Sequence, residues 1–308
     1  MSHEPHGFAL NPEDERLLRG PVPDEALIWA AAAVGSGARV RAVEPLWGGT
    51  SSAVHALAVQ DGGGSLHELV LRRFVRRDWL AEEPDLAERE ATALRIVAGA
   101  AVPTPSLVAV DPDGALAGVP ALVMSRLPGR IVWHPAEPER FLRALAEMLP
   151  AVHATPLPAG VALPDYRPYE LKLSRAPAWA THPDIWLRAI EALTGSPPSD
   201  ERVFIHRDFH PGNVLWEGDR LSGLVDWVNA SAGSPWADVG HCRVNIASEL
   251  GEDAADRFLD LYRTVAGRTD DYHPYWDISA AIGGLDESGD DAPSPADEEF
   301  LARAVYRL

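Results

Sequence analysis

The chain has one cysteine, Cys242, in 308 residues, which excludes an internal disulfide framework and fits a reducing compartment. No apolar run approaches the roughly 18 residues that cross a bilayer. The longest, Ala26 to Val34, is Ala-rich and stops at Gly35. The first residues, Met1 to Gly7, lack the basic-then-apolar order of a signal peptide. Positive charge is scarce: 27 Lys and Arg stand against 46 Asp and Glu, for a net charge of −19. That balance argues against nucleic acid as a general partner, since phosphate backbones are gripped by clustered basic residues. These absences predict a cytoplasmic protein with neither membrane nor nucleic-acid partners. The acidic balance fits a solvated surface and is compatible with a cationic small substrate.

What is present is globular in proportion, with 46% hydrophobic and 24% charged residues, enough for a sizeable core in one large domain or two lobes. Residues 1–22 are polar, rich in Pro and Gly, and read as a loosely held, flexible extension. Asp24 is placed to cap a helix from Glu25 to about Val34. Strand patterns follow at 39–46, 53–60 and 66–74, the last two joined by the turn Asp61-Gly62-Gly63-Gly64. Leu86, Glu90, Leu94 and Val97 recur at three- and four-residue steps, which predicts a helix over 86–98. Further strands fit 107–111 and 120–127. Beyond residue 130 the apolar stripes become helical, at 139–153, 184–193 and 253–265. The acidic stretch 286–299 reads as a solvated segment before a last short helix. A strand-rich part at 23–127 and a helix-rich part at 128–308 make an α+β arrangement.

Within the second part lies His206-Arg207-Asp208-Phe209-His210-Pro211-Gly212-Asn213, followed by a short hairpin and Asp226-Trp227. Phosphoryl transfer needs a carboxylate beside the attacking hydroxyl and oxygen ligands for Mg²⁺ on the nucleotide phosphates. The order His-Arg-Asp, a later Asn, and a second Asp at a strand end supplies those groups. Asp208 is the expected catalytic base. Asn213 offers Mg²⁺ a neutral oxygen and Asp226 a charged one, and a turn at 217–220 would bring them toward each other by antiparallel pairing. His206 is expected to fix the loop, and His210 either to contact the γ-phosphate or to pack on the loop. A metal-hydrolase reading competes with this one. His206, Asp208 and His210 alternate along an extended segment and, with Asp226 or His241, would suit Zn²⁺. It leaves Asn213, the hairpin and the strand-rich part unused.

The same segment resembles the central signature of the aminoglycoside phosphotransferase family: His, a variable residue, then Asp-x-His-Pro-x-Asn and an apolar strand. Asp226-Trp227 is similar to the family's second metal motif, and Gly233-Ser234-Pro235-Trp236-Ala237-Asp238 to the Gly-x-Pro-x-x-Asp that follows it. The resemblance implies a bilobal protein-kinase-like fold, with a small N-lobe of antiparallel sheet plus helix and a larger, mainly helical C-lobe. It implies transfer of the γ-phosphoryl group of ATP, or of GTP, with Mg²⁺, to a hydroxyl of a small acceptor such as an aminoglycoside or related antibiotic.

The resemblance also assigns nucleotide contacts. A covering loop falls at 46–52, where Gly48 and Gly49 allow close approach and Thr50 and Ser51 donate to phosphate. Arg72 stands where the family's third strand carries the lysine for the α- and β-phosphates. Glu90 is its implied helical partner, with Glu88 as the fallback. The stretch 121–129 resembles the inter-lobe linker, where Met124 lines the adenine pocket and the backbone near Ser125 and Leu127 bonds adenine. Asp238 is implied to hold the catalytic loop. The missing lysine leaves open a second reading, a pseudokinase that binds nucleotide without turnover.

Eleven residues separate Asp226 from Asp238, too few for a long activation segment, and Val228 stands where Asp-Phe-Gly kinases carry glycine. A small molecule is therefore the expected acceptor. Its site is expected in the helical part, at 155–195 and 240–285, which holds Tyr166, Tyr169, Trp179, Trp186, Glu249, Asp253, Tyr272, Trp276 and Asp277. Carboxylates there would suit a polyamine, and stacked aromatics a sugar ring or quaternary amine.

Overall fold

The computed structural model describes residues 11–47, 49, 51–161, 163–285 and 295–308. Gly48 and Thr50 of the expected nucleotide loop lie outside the described residues, as does most of the acidic stretch after 285. The chain forms two compact units, one from residues up to 99, 103–129 and 222–228, the other from 100–102, 130–221 and 229–308.

The first unit carries α1 (Pro12–Arg19), α2 (Asp24–Val34), β1 (Arg39–Pro45), β2 (Ala53–Gln60), β3 (Leu66–Arg73), α3 (Arg77–Glu82), α4 (Leu86–Val97), β4 (Leu107–Asp111) and β5 (Ala121–Ser125). Its strands form one antiparallel sheet in the order β1-β2-β3-β5-β4. Asp61 Oδ1 accepts from the Gly63 and Ser65 N–H groups and so builds the β2–β3 turn. Side chains alternate across a strand. Leu69 and Leu71 therefore share one face with Leu57 and Val59, in the core that Ala26, Ala30 and Ala31 of α2 cover. Arg72 points the other way and meets Glu90 of α4.

Two local expectations change here. Residues 12–19, read as part of a loose extension, form α1 instead. Asn11 Oδ1 accepts from the Glu13 and Asp14 N–H groups, Pro12 suits the first turn, and Leu18 is buried. Asp24 is the first residue of α2 rather than its cap, since Pro23 holds the cap position without a side-chain bond.

The second unit carries β6 (Arg130–Ile131), α5 (Pro138–His153), α6 (Pro183–Thr194), β7 (Val203–Ile205), β8 (Val214–Glu217) and the start of β9 (Arg220–Leu224). It continues with β10 (Ser231–Gly233), α7 (Pro235–Leu250), α8 (Glu252–Val265), α9 (Tyr275–Ile282) and α10 (Pro295–Tyr306). β6 pairs antiparallel with β8, and β7 with β10. Helix α7 is buried on nearly every side, from Pro235 and Trp236 through Val239 and Cys242 to Ile246. A helix apolar all round has no amphipathic stripe, which is why periodicity did not reveal it.

The helical stripe read at 184–193 is α6, and between α5 and α6 the described residues form no helix or strand, only an isolated bridge at Asp165. Pro156, Pro158, Pro164, Pro168 and Pro177 account for this, because each fixes φ and removes a backbone donor. The last helix, α10, is longer than expected and buries Phe300, Leu301, Ala304 and Val305. No helix among the described residues is long and apolar enough to cross a membrane. The architecture is α+β, as the sequence implied.

Candidate active site

In the second unit β7 ends at Ile205, and a loop leads through a 3₁₀ turn (Pro211–Asn213) into β8. Asp238, fully buried in the first turn of α7, organises this loop. Its Oδ2 accepts from His206 N–H at 3.0 Å and its Oδ1 from Arg207 N–H at 2.6 Å. His153 Nε2 lies 3.1 Å from the same Oδ2. Bonds to an ionised acceptor are the stronger kind, and they hold Arg207 in the left-handed region at φ +68.

Asp208 follows directly. Its Oδ1 lies 3.0 Å from His241 Nε2 and 3.9 Å from His210 Nε2. Asn213 Nδ2 donates to Asp208 Oδ2 at 3.2 Å and to the Asp208 carbonyl at 2.8 Å. Burial alone would raise the Asp208 carboxyl. The hydrogen bond from His241, with the charge of His241, outweighs burial and holds it well below the usual carboxylate range. The side chain is 23% exposed, so an incoming hydroxyl can reach it. Such a carboxylate stays ionised at neutral pH and can orient that hydroxyl.

His210 is fixed from two sides. Gly212 N–H donates to its Nδ1 at 3.1 Å, and Trp133 stacks on the ring with centroids 5.9 Å apart. A Cβ at Gly212 would lie 2.6 Å from both His210 Cε1 and Trp133 Cζ2, so the close approach requires glycine. With Nδ1 accepting, the neutral ring carries its proton on Nε2, the nitrogen facing Asp208. This bears on Zn²⁺. One ligand atom each from Asp208, His210 and His241 lie within 4.8 Å of one another, near enough for a single ion. A metal-bound histidine ordinarily gives its second N–H to an acceptor, and His210 has the reverse arrangement. The trio is thus better suited to one bonded imidazole, His241, with His210 nearby, around a single carboxylate than to a Zn²⁺ centre. His206, expected in that set, lies outside it, wholly buried beside Phe209.

The first unit contains a second cluster. Arg72, 4% exposed, donates from Nε to Ser52 Oγ at 2.7 Å and from Nη1 to Glu90 Oε1 at 2.9 Å and Asp226 Oδ1 at 2.6 Å. Its Nη2 reaches Ser51 Oγ at 3.4 Å. Burial pushes the Glu90 carboxyl up to about 6, with Arg72 pulling it down and the Asp226 charge adding to the rise. Glu90 rather than Glu88 is the partner, because Glu88 pairs with Arg95 at the surface. Asp226 takes φ +66, next to Trp227, whose Nε1 donates to the Leu224 carbonyl at 3.1 Å.

The remaining expected nucleotide contacts are placed as follows. Met124 is buried and pairs with Val70, on the sheet face that carries Arg72. Ser125 N–H donates to the Ser106 carbonyl at 2.9 Å and Arg126 N–H to the Glu68 carbonyl at 3.1 Å, so these donors serve the sheet. Leu127 lies just beyond those bonds. At Gly49 a Cβ would meet nothing nearer than 3.5 Å, so crowding within the chain does not demand glycine there. Asp226, in the first unit, carries a carboxylate oxygen, and Asn213, in the second, commits its nitrogen to Asp208 and keeps Oδ1 as an oxygen donor. Hard oxygen ligands fit Mg²⁺.

A pocket in the second unit is lined by Tyr166, Tyr169, Arg207, His241, Trp276 and Ser279. Three residues suspected from sequence, Tyr166, Tyr169 and Trp276, meet there. The others serve elsewhere. Trp179 and Trp186 pack edge to face at 4.9 Å, and Asp277 is buried against Arg243 at 2.9 Å and Tyr272 OH at 2.6 Å. Glu249 lies 3.7 Å from His134, and Asp253 is exposed on α8. His241 had been considered only as a Zn²⁺ ligand. Its three-residue spacing from Asp238 on one helix was the signal that could have placed it beside the loop.

A sequence model described as the phosphotransferase enzyme family, APH, matches residues 42–275. A homoserine kinase of Methylobacillus glycogenes is 27% identical over 191 residues, 56% of this chain and 57% of its own length. The chain spans between 16% and 57% of the length of the curated relatives it matches. Macrolide 2'-phosphotransferase MphH of Brachybacterium faecium superposes with a TM-score of 0.57 at 19% identity, covering 93% of this chain and 99% of that one. A thermostable mutant of aminoglycoside phosphotransferase APH(4)-Ia, solved with AMP-PNP and hygromycin B, gives 0.60 at 17% identity, covering 87% and 94%. At such identities the structural likeness concerns the fold.

Proposed function

Because the chain belongs to the phosphotransferase enzyme family, we propose that it transfers the γ-phosphoryl group of ATP to a hydroxyl of a small molecule. The observation that carries this reading is the Asp208 carboxylate, gripped by His241 at 3.0 Å and Asn213 at 3.2 Å in a loop tied to Asp238. The acceptor oxygen forms a bond to the γ-phosphorus, the bond from phosphorus to the bridging oxygen breaks, and ADP leaves. The hydroxyl proton passes to Asp208 and then to solvent. An acidic carboxylate suits a loose transition state, in which orientation matters early and the proton moves late.

Mg²⁺, when bound, neutralises the phosphate oxygens, and Asn213 and Asp226 are its proposed ligands. Arg72 is the proposed phosphate cation, with Glu90 positioning it. Gly48, Gly49, Thr50 and Ser51 are the proposed covering loop, and Met124, Ser125 and Leu127 the proposed adenine contacts. GTP would serve the same arrangement. The similar proteins are named for homoserine and macrolides or were solved with hygromycin B. These compounds are chemically unlike, so the names select no acceptor.

The test is Mg²⁺-dependent ADP release over a panel of hydroxylated small molecules, with Asp208→Asn as the control. The variant should lose about 10²- to 10⁴-fold in kcat, the usual contribution of a positioned base. Turnover unaffected by that change would remove Asp208 from the role. The second reading, nucleotide binding without turnover, draws on Arg72, whose Nε and Nη1 donors are committed to protein groups. It would be favoured by a measurable ATP affinity with no ADP release from any acceptor.

A further inference from the structure

The pocket beside His241 has a composition at odds with the charge of the whole chain. The protein carries a net charge of −19, yet among the described residues the pocket lining holds one permanent cation, Arg207, one imidazole, His241, and no carboxylate. The acidic residues that a polyamine would need are engaged or lie elsewhere, as Asp277 against Arg243 and Glu249 near His134 show.

Arg207 has three unusual features together. It holds a left-handed backbone at φ +68, which a non-glycine residue adopts only at a cost and which clusters at functional positions. Its guanidinium lies over Tyr169 at 4.5 Å and near Tyr166 at 5.9 Å, so two aromatic rings flank the charge. Its Nη2 donates to the Arg167 carbonyl at 2.9 Å, while its Nε–H is buried without a hydrogen-bond partner. A buried donor left unsatisfied calls for a ligand or a reason. The residue is also the immediate neighbour of Asp208, and His241 touches both the pocket and the Asp208 carboxylate.

We propose that this pocket binds the carboxylate end of a small hydroxylated acceptor, with Arg207 as its specificity-determining cation and the acceptor hydroxyl directed to Asp208. The inference rests on the kinase reading and narrows its acceptor class. A guanidinium fork set against two tyrosine rings matches a planar, bidentate anion. A polycation would face Arg207 at close range with no carboxylate among the described lining residues to offset it. A phosphate or sulfate monoester shares the negative charge but not the planar shape, and the test separates the two.

The experiment measures ADP release with Mg²⁺ and ATP for matched acceptors: 4-hydroxybutyrate, glycerate and serine, each beside its carboxamide, with glycerol phosphate and kanamycin as the other arms. Nucleotide-free binding of each acid and amide is followed by calorimetry. The acids should exceed their amides and kanamycin by at least about tenfold in kcat/KM, as expected where a charged site is built for its partner. Arg207→Met should abolish the preference, and Arg207→Lys should restore part of it. Arg207→Gly suits the left-handed backbone, so it should fold and still lack the preference. Equal use of acids and amides, better use of kanamycin or of glycerol phosphate, or a preference that survives Arg207→Met would overturn the assignment. Absence of ADP release from every acceptor would contradict the kinase reading alone. In that event an Arg207-dependent binding preference for acid over amide would still support the pocket, and equal binding would overturn it.

Discussion

Arg72 Nη1 lies 2.6 Å from Asp226 Oδ1 and 2.9 Å from Glu90 Oε1, so one nitrogen joins two carboxylates of opposite fate. Glu90 is 1% exposed, whereas 27% of the Asp226 side chain is exposed. The two pairs therefore have different worth. Arg72–Glu90 is a buried ion pair, and Arg72–Asp226 is one that solvent reaches from the Asp226 side.

Removing one partner of a buried pair strands the other, which costs more than the pair itself contributes. Arg72→Met should destabilise the protein by about 3–5 kcal/mol in urea unfolding. The double variant Arg72→Met with Glu90→Gln should recover much of that loss, because no buried charge is left alone. Additive losses in the double variant would contradict this account.

The raised Glu90 carboxyl gives stability a pH signature. Its pKa is about 6 in the folded chain against an ordinary 4.5. The folded state therefore holds the proton that the unfolded state has released, and this contribution is lost as pH rises through about 6. The span corresponds to roughly 2 kcal/mol. Stability of Glu90→Gln relative to the parent protein should thus rise between about pH 4.5 and pH 6. A difference curve flat across that window would contradict the assignment.

Asp238 holds the loop through two backbone N–H groups and His153. Bonds to a buried charge are worth more than neutral ones, so Asp238→Asn should cost about 2–4 kcal/mol. It should also lower kcat, since the loop it fixes carries Asp208. Urea titration and steady-state kinetics on the same preparation check both parts.

His241 should govern the acid limb of activity. The depressed Asp208 carboxyl contributes stability above its unfolded value of about 3.9, and that contribution is lost as pH falls through the folded pKa. His241→Leu removes the hydrogen bond and leaves burial, so the Asp208 carboxyl should rise. The acid limb of kcat/KM should then move upward into the range measurable above about pH 4. An unshifted limb would show that His241 does not hold Asp208 ionised.

Much of this site was legible because it is local. Asp208, His210 and Asn213 lie within one short loop, and their contacts follow from chain geometry. Glu90 was legible from the helical period that places it one turn before Leu94. The Arg72–Asp226 contact joins residues 154 apart, beyond the reach of any local pattern. Three features were not legible. Helix α7 has no amphipathic stripe because it is buried on nearly every side, which hid the placement of His241. The tyrosines of the pocket lie in a proline-broken segment with no period to read. The left-handed turn at Arg207 is imposed by Asp238, which the pattern around residue 207 does not contain. The carboxylates that suggested a polyamine acceptor did not converge on the pocket, because charge counted along a chain carries no information about where it folds.

The central claim is phosphoryl transfer with Asp208 serving the acceptor hydroxyl. It is tested most directly by incubating the protein with Mg²⁺, γ-³²P-labelled ATP and the hydroxy-acid panel, beside Asp208→Asn, and identifying the labelled product. The account predicts label in a phosphate ester at the acceptor hydroxyl, reduced by about 10²-fold or more in the variant. Label found only in inorganic phosphate, or ester formation equal in both proteins, would contradict it.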